Sequence, residues 1–142
     1  MNKLFKFLIL ILMINACSYE RVYLNQNYNF KFENISSEGN EEINKSIINF
    51  LESNTNGDVK YNLNFKTTKN REIVTSDTKG DPKIYKLVLT LQYEVDQNGN
   101  KIIQDKIIKQ MTYNTIKDKY ELSQYEINIM KNLSENLSKD IL

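Results

Sequence analysis

A two-layer α+β sandwich, with two helices packed on one face of a four-stranded mixed sheet in the order β-α-β-β-β-α, is the fold class that the sequence predicts. Three observations predict it. Several stretches alternate apolar and polar residues with period two, as a half-buried strand does. Two others carry apolar residues at helical spacing. Only the first strand is separated from the next by a helix, so it can lie parallel to a neighbour through a crossover, while the last three form an antiparallel meander. Amphipathic helices and a sheet with one apolar face bury one another as two layers.

Each element has its own warrant. Residues 28–35, YNFKFENI, set Tyr28, Phe30 and Phe32 against Asn29, Lys31 and Glu33, and Gly39 breaks the run. Asn40 is placed to cap a helix, with Glu41 and Glu42 at the positive end of its dipole. Ile43, Ile47, Phe50 and Leu51 share one face, which predicts a helix over residues 41–52 that SNTNG then stops. In the next strand, residues 59–68, Val59, Tyr61, Leu63 and Phe65 oppose Lys60, Asn62, Asn64 and Lys66; residues 72–76 continue it past a bend near Asn70. KGDP at 79–82 is a turn. Residues 84–95 give the clearest strand, with Tyr85, Leu87, Leu89, Leu91, Tyr93 and Val95 in register. Asn98-Gly99 is a hairpin signal, and residues 101–115 return with Ile103, Ile107, Met111 and Tyr113 on one side. Ile102 and Ile108 lie on the other, which implies partial cover or a bulge. The last helix is expected to start at a capping box, Ser123-Gln124-Tyr125-Glu126, with a staple between Leu122 and Ile127. Ile129, Met130, Leu133, Leu137 and Ile141 form its apolar stripe.

Composition removes much chemistry. The 142 residues suffice for one modest domain and include no His, no Trp and a single Cys. No intrachain disulfide, Cys/His zinc site, Ser-His-Asp triad or Cys-His pair is then possible. The formal charge of +1 gives no case for nucleic acid. The four glycines, at 39, 57, 80 and 99, are too scattered for a phosphate loop. Asp96, Asn98 and Asn100 imitate the start of a calcium loop, but Lys101 stands where such a loop requires glycine. Asp77 and Asp81 read as a solvated turn. Asn132-Leu133-Ser134 and Asn136-Leu137-Ser138 match the glycan acceptor pattern, but their leucines belong to the helix's core face. No metal, cofactor or enzymatic activity is expected.

The beginning of the chain carries the most specific signal. Lys3 and Lys6 precede a wholly apolar run, residues 7–14, then Asn15-Ala16 and Cys17. This is the layout of a secretory signal peptide, and the run is far shorter than the roughly 20 residues a spanning helix needs. Residues 1–16 are expected to be cleaved, 17–27 to form a lipidated N-terminus and tether, and 28–142 to fold. Ile14-Asn15-Ala16-Cys17 resembles the bacterial lipobox, although Asn15 stands where that motif prefers a small residue. The resemblance implies acylation at Cys17, with palmitate-type chains that together anchor the protein firmly. The alternative is a short uncleaved anchor with an incidental cysteine. Ser18 in place of Asp implies, by the sorting rule of enterobacterial lipoproteins, the outer membrane of a Gram-negative cell. A cationic group, Lys66, Lys69, Arg71, Lys79 and Lys83, is either a solvated hairpin end or a site for anions such as lipid phosphates.

Taken together, the lipobox, the aromatic strand at 28–35, the helix ending IINFLES, the YNLNF and KIYKLVLTLQYEV strands, the Asn98-Gly99 hairpin and the tail DKYELSQYEINIMKNLSENLSKDIL resemble the LptE family of lipopolysaccharide-assembly lipoproteins. The likeness is one of pattern, over nearly all of the chain after Cys17; Glu20-Arg21 departs from the proline-leucine stretch of many members. It implies a periplasm-facing protein that plugs an outer-membrane β-barrel, LptD, assists its assembly and binds lipopolysaccharide. Two other readings stay open: a stand-alone periplasmic lipid- or peptide-binding lipoprotein, and an accessory lipoprotein of another envelope complex such as barrel assembly.

Overall fold

A computed structural model describes residues 28–142. The expected signal peptide, the lipobox with Cys17 and the tether to residue 27 lie outside the described residues. The element order is β1 (Tyr28–Gly39), α1 (Glu41–Asn54), β2 (Thr55–Ser76), β3 (Pro82–Gln97), β4 (Asn100–Asn114) and α2 (Lys119–Ile141). The strands lie side by side in sequence order, β1 parallel to β2 and the others antiparallel. Both helices contribute to one core with the sheet, so the expected two-layer α+β sandwich is the fold observed.

The aromatic alternation of β1 continues to Phe32, which pairs with Tyr61, and then slips. Glu33 is the extra residue of a bulge, after which Ile35 pairs with Leu63. The bulge lets Phe32 and Ile35 both pack against the core although they differ in parity. Gly39 closes the strand at φ +100, where a Cβ would lie 1.9 Å from the Thr67 carbonyl oxygen, so only glycine fits the turn. Asn40 caps α1 as expected, its Oδ1 accepting from the Ile43 amide at 3.1 Å. The helix runs on to Asn54, where the Ser53 and Asn54 side chains donate back to the carbonyls of Asn49 and Phe50.

Three local expectations are corrected. There is no bend near Asn70: β2 pairs with β3 without interruption from Asn62 to Ile73, and the irregularity falls at Val74. Ladder bonds on the β3 side hold the stretch straight. The last helix does not start at Ser123. Its N-cap is Asp118, whose Oδ1 accepts from the amides of Tyr120 (2.8 Å) and Glu121 (2.9 Å). A carboxylate there caps and also meets the helix dipole, so the earlier start wins. With Ser123 inside the helix, Leu122 packs on the core and Ile127 stands 43% exposed, so they form no staple across a helix start.

The hairpin signal is realised by Asn98 at φ 53 and Gly99 at φ 79, the mirror-image turn that matches strand twist. The bulge expected in β4 falls at Ile102, between the Val95–Ile103 and Asp96–Lys101 pairs. Ile43, Ile47 and Leu51 of α1, Leu89 and Leu91 of β3 and Leu137 of α2 have no exposed surface. Ser134 and Ser138, also fully buried, donate to the carbonyls of Met130 and Ser134 one helical turn back. Among the described residues no buried side-chain polar atom is left without a partner.

Candidate functional site

Period-two alternation gives the sheet a second face, turned away from both helices. On β2, Leu63, Phe65 and Thr67 point into the core, so Asn62, Asn64 and Lys66 point out. The outward polar groups pair across strands. Asn34 Nδ2 donates to Asn62 Oδ1 (2.8 Å), and Asn62 Nδ2 donates to Asp96 Oδ1 (2.9 Å), a chain spanning β1, β2 and β3. Lys66 meets Glu38 at 3.3 Å, Lys86 meets Glu72 at 2.6 Å and Lys101 meets Glu94 at 2.7 Å. Lys60 pairs with Glu33, and its hydrogen bond and charge hold that carboxyl below the usual range. A shallow depression of about 520 Å³ lies on this face, lined in part by Ser36, Asn64, Gln92 and Gln104. Over β1, β2 and β3 the surface is largely polar and hydrogen-bonded, with several charges neutralised in pairs; on β4 the exposed Ile108 and Lys106 interrupt that pattern.

The cationic residues singled out from the sequence are not gathered into one site. Lys66 is on the outward face, ion-paired. Lys69 and Arg71 have the other parity and point to the helix side, where Lys69 Nζ lies 3.9 Å from Met130 Sδ. Arg71 bonds Glu126 at 2.9 Å and stacks 3.8 Å from the Tyr85 ring centroid. Lys79 sits in the turn between β2 and β3, and Lys83 is exposed at the start of β3. Only Lys79 and Lys83 share the hairpin end. The signal that separates the group is strand parity: 66 is even, 69 and 71 are odd.

Glu126 is the residue that sequence reasoning misplaced. Instead of closing a capping box it accepts from the Tyr113 hydroxyl at 2.7 Å while holding Arg71. Tyr113 stacks on Tyr85 and meets Tyr125 edge-on. Burial, and then the bond to Glu126, pushes the Tyr113 phenol up to about 12. This network ties α2 to the far end of the sheet, through residues from β2, β3 and β4 that no local pattern links.

Reactive constellations are sparse among the described residues. No group of three or more His, Cys, Asp or Glu is placed to hold a metal ion. Asp96 is engaged by Asn62, and Asp77 Oδ1 accepts from the amides of Lys79 and Asp81, which builds the turn. No described helix is long and apolar enough to cross a membrane.

Several solved structures share this architecture. The chain is similar to the crystal structure of rare lipoprotein B from Shewanella oneidensis, at 14% identity and TM-score 0.59, over 76% of this chain and 89% of that one. It is similar to a minor lipoprotein from Acinetobacter baumannii, at 17% identity and TM-score 0.59, over 80% and 87% of the two chains. A solution structure of an uncharacterized lipoprotein B from Nitrosomonas europaea gives 10% identity and TM-score 0.59, over 83% and 85%. At such identities the likeness establishes the fold, which is one that small bacterial lipoproteins adopt. No protein-family model and no curated protein matches the sequence.

Proposed function

We propose that the chain is a bacterial envelope lipoprotein, anchored in the outer membrane through acylated Cys17, whose folded domain works as plug and assembly partner of an LptD-type β-barrel in lipopolysaccharide assembly. The observation that carries this reading is the outward face of the sheet. Across β1, β2 and β3 its side chains are mostly polar, and several of their charges cancel in pairs such as Lys66–Glu38 and Lys86–Glu72. Such a face suits the polar, water-filled interior of an outer-membrane barrel better than a continuous apolar face would. The sequence pattern of the LptE family and the fold shared with solved lipoproteins support it. The domain is read as non-catalytic: the sequence offers no reactive constellation, and two of the acidic groups it singles out, Asp77 and Asp96, are engaged in a turn and a cross-strand pair.

Purification of the full chain in mild detergent, with identification of its partners, tests the proposal. A large outer-membrane barrel in near-equal amount is the expected companion. Recovery of the chain alone overturns the plug role, and mass spectrometry finding residue 17 unmodified overturns the anchor. Lipopolysaccharide phosphates are assigned to the exposed Lys79 and Lys83, which share the hairpin end. Lys79→Glu with Lys83→Glu is expected to weaken lipopolysaccharide binding without lowering the melting temperature; an unchanged affinity removes that assignment.

One feature favours a second reading. An apolar groove of about 310 Å³ runs between the helices, lined by Ile127, Met130, Ser46 and Ser134, with Lys45 and Lys131 beside it. A stand-alone carrier of a small amphipathic ligand would use this groove, and would copurify with that ligand in the absence of any barrel.

A further inference from the structure

β4 is an outer strand of the sheet, and along it only Tyr113 is buried. Ile102, Ile103, Ile108 and Met111 stand 41–53% exposed there. An edge strand presents a row of unpaired amide and carbonyl groups, and natural proteins usually block it with a central charge, a proline or a covering element. Among the described residues β4 has no strand on its outer side. It contains no proline, and its midpoint, Ile107, is apolar, with Asp105, Lys106 and Lys109 on either side of it and a bulge at Ile102 near one end.

We propose that β4 pairs antiparallel with β4 of a second copy of this chain, about a two-fold axis at Ile107, joining two sheets into one. The argument is the strand's match to itself. A two-fold axis normal to the sheet sets same-face residues opposite one another. With the axis at Ile107, the helix-side row places Ile107 against Ile107, Asp105 against Lys109 and Ile103 against Met111. Each of the last two pairs occurs twice. On the outward side Gln104 faces Gln110, while Lys106 faces Ile108, a charge against an apolar side chain that this register carries; among the neighbouring registers it is still the one that sets opposite charges against each other. Opposite charges and apolar pairs are what cross-strand neighbours favour, and like charges directly opposite are unfavourable.

Neighbouring registers fail this match. An axis at Lys106 sets that lysine against itself. At Asp105 the aspartate meets its own copy. At Lys109 two lysines coincide. At Ile108 the aspartate faces Met111 and Lys109 faces Ile107. One register is therefore selected by charge, as it must be in a strand whose pairing is otherwise only backbone to backbone. Lys109 already bonds Asp140 of α2 at 2.5 Å, which holds its ammonium on the helix side where the second copy's Asp105 would arrive.

The test uses the full chain in detergent with three single variants, Ile107→Cys, Gln104→Cys and Gln110→Cys. The parent chain, whose only thiol is Cys17, sets the background. Under mild oxidation Ile107→Cys is expected to form a disulfide-linked dimer. Gln104→Cys alone is not, because its two copies lie six residues apart along the strand, about 20 Å. A mixture of Gln104→Cys and Gln110→Cys is expected to link. Sedimentation equilibrium of the parent is expected to show a dimer that Asp105→Lys weakens at least ten-fold, with the melting temperature of the dilute, monomeric protein unchanged. A parent that stays monomeric across the concentration range overturns the proposal. So does a dimer that links through residue 104 alone, fails to link through 107, or ignores Asp105→Lys.

Discussion

The two faces of the sheet are built from alternate residues of the same strands, yet they hold different kinds of energy. On the covered face Leu63, Leu89 and Leu91 are wholly buried against Ile47 and Leu137. On the open face Lys66, Glu72, Glu94 and Asn62 bond across strands while half-exposed to water. Burying an apolar side chain contributes about 1.5–3 kcal/mol, whereas an exposed ion pair contributes roughly 0–1 kcal/mol. Stability thus resides on one face, and substitutions on the other are expected to cost little of it.

The most severe way to break this comparison is to remove cover. A chain ending at Asn132 loses Leu133, Leu137 and Ile141, and is expected to show no cooperative thermal transition by circular dichroism; a sharp melt would mean that α1 alone covers the core. Next comes a single cavity on the covered face. Leu91→Ala is expected to cost about 2–5 kcal/mol in urea denaturation.

The third prediction concerns Tyr113, at the border where polar groups sit under α2. It is only 4% exposed, and its phenol is raised from an ordinary 10.0 to about 12. A group raised in the folded state contributes stability that is complete below its unfolded value and lost as pH climbs through the folded one. Stability is expected to fall by about 2–3 kcal/mol between pH 10 and 12, and Tyr113→Phe to remove that part of the fall. Equal slopes in the two proteins would show that the phenol is not held by burial and Glu126. The smallest effect belongs to the open face: Lys66→Ala, which leaves Glu38 in water, is expected to change stability by less than about 1 kcal/mol. A larger loss would show that the outward pairs act as a coupled network.

The sequence makes the fold legible wherever a signal is local. Alternation through Leu87, Leu89 and Leu91, the cap at Asn40 and the Asn98-Gly99 turn each need only a few neighbouring residues, and each is realised. The start of α2 is misplaced at Ser123 because the residue that caps it, Asp118, likewise stands three residues before a glutamate, and its carboxylate also meets the dipole. The hydroxyl at Ser123 looked like a cap, but the stripe it served begins earlier, with Leu122 on the core. The candidate site was less legible. Five cations close in sequence looked like one patch, but strand parity sends Lys66 to one face and Arg71 to the other. The partners that fix Arg71, namely Tyr85, Tyr113 and Glu126, lie on three other elements.

Because β1 is an outer strand laid along β2, any pull arriving through the chain that precedes Tyr28 loads the domain at a single corner. Rupture there proceeds as a peel, one backbone bond after another, and the rings of Tyr28, Phe30 and Phe32 are the first to part. Were the protein tethered at that end, it would yield to force from its outer strand inward, and its antiparallel meander would be the last part to feel the load.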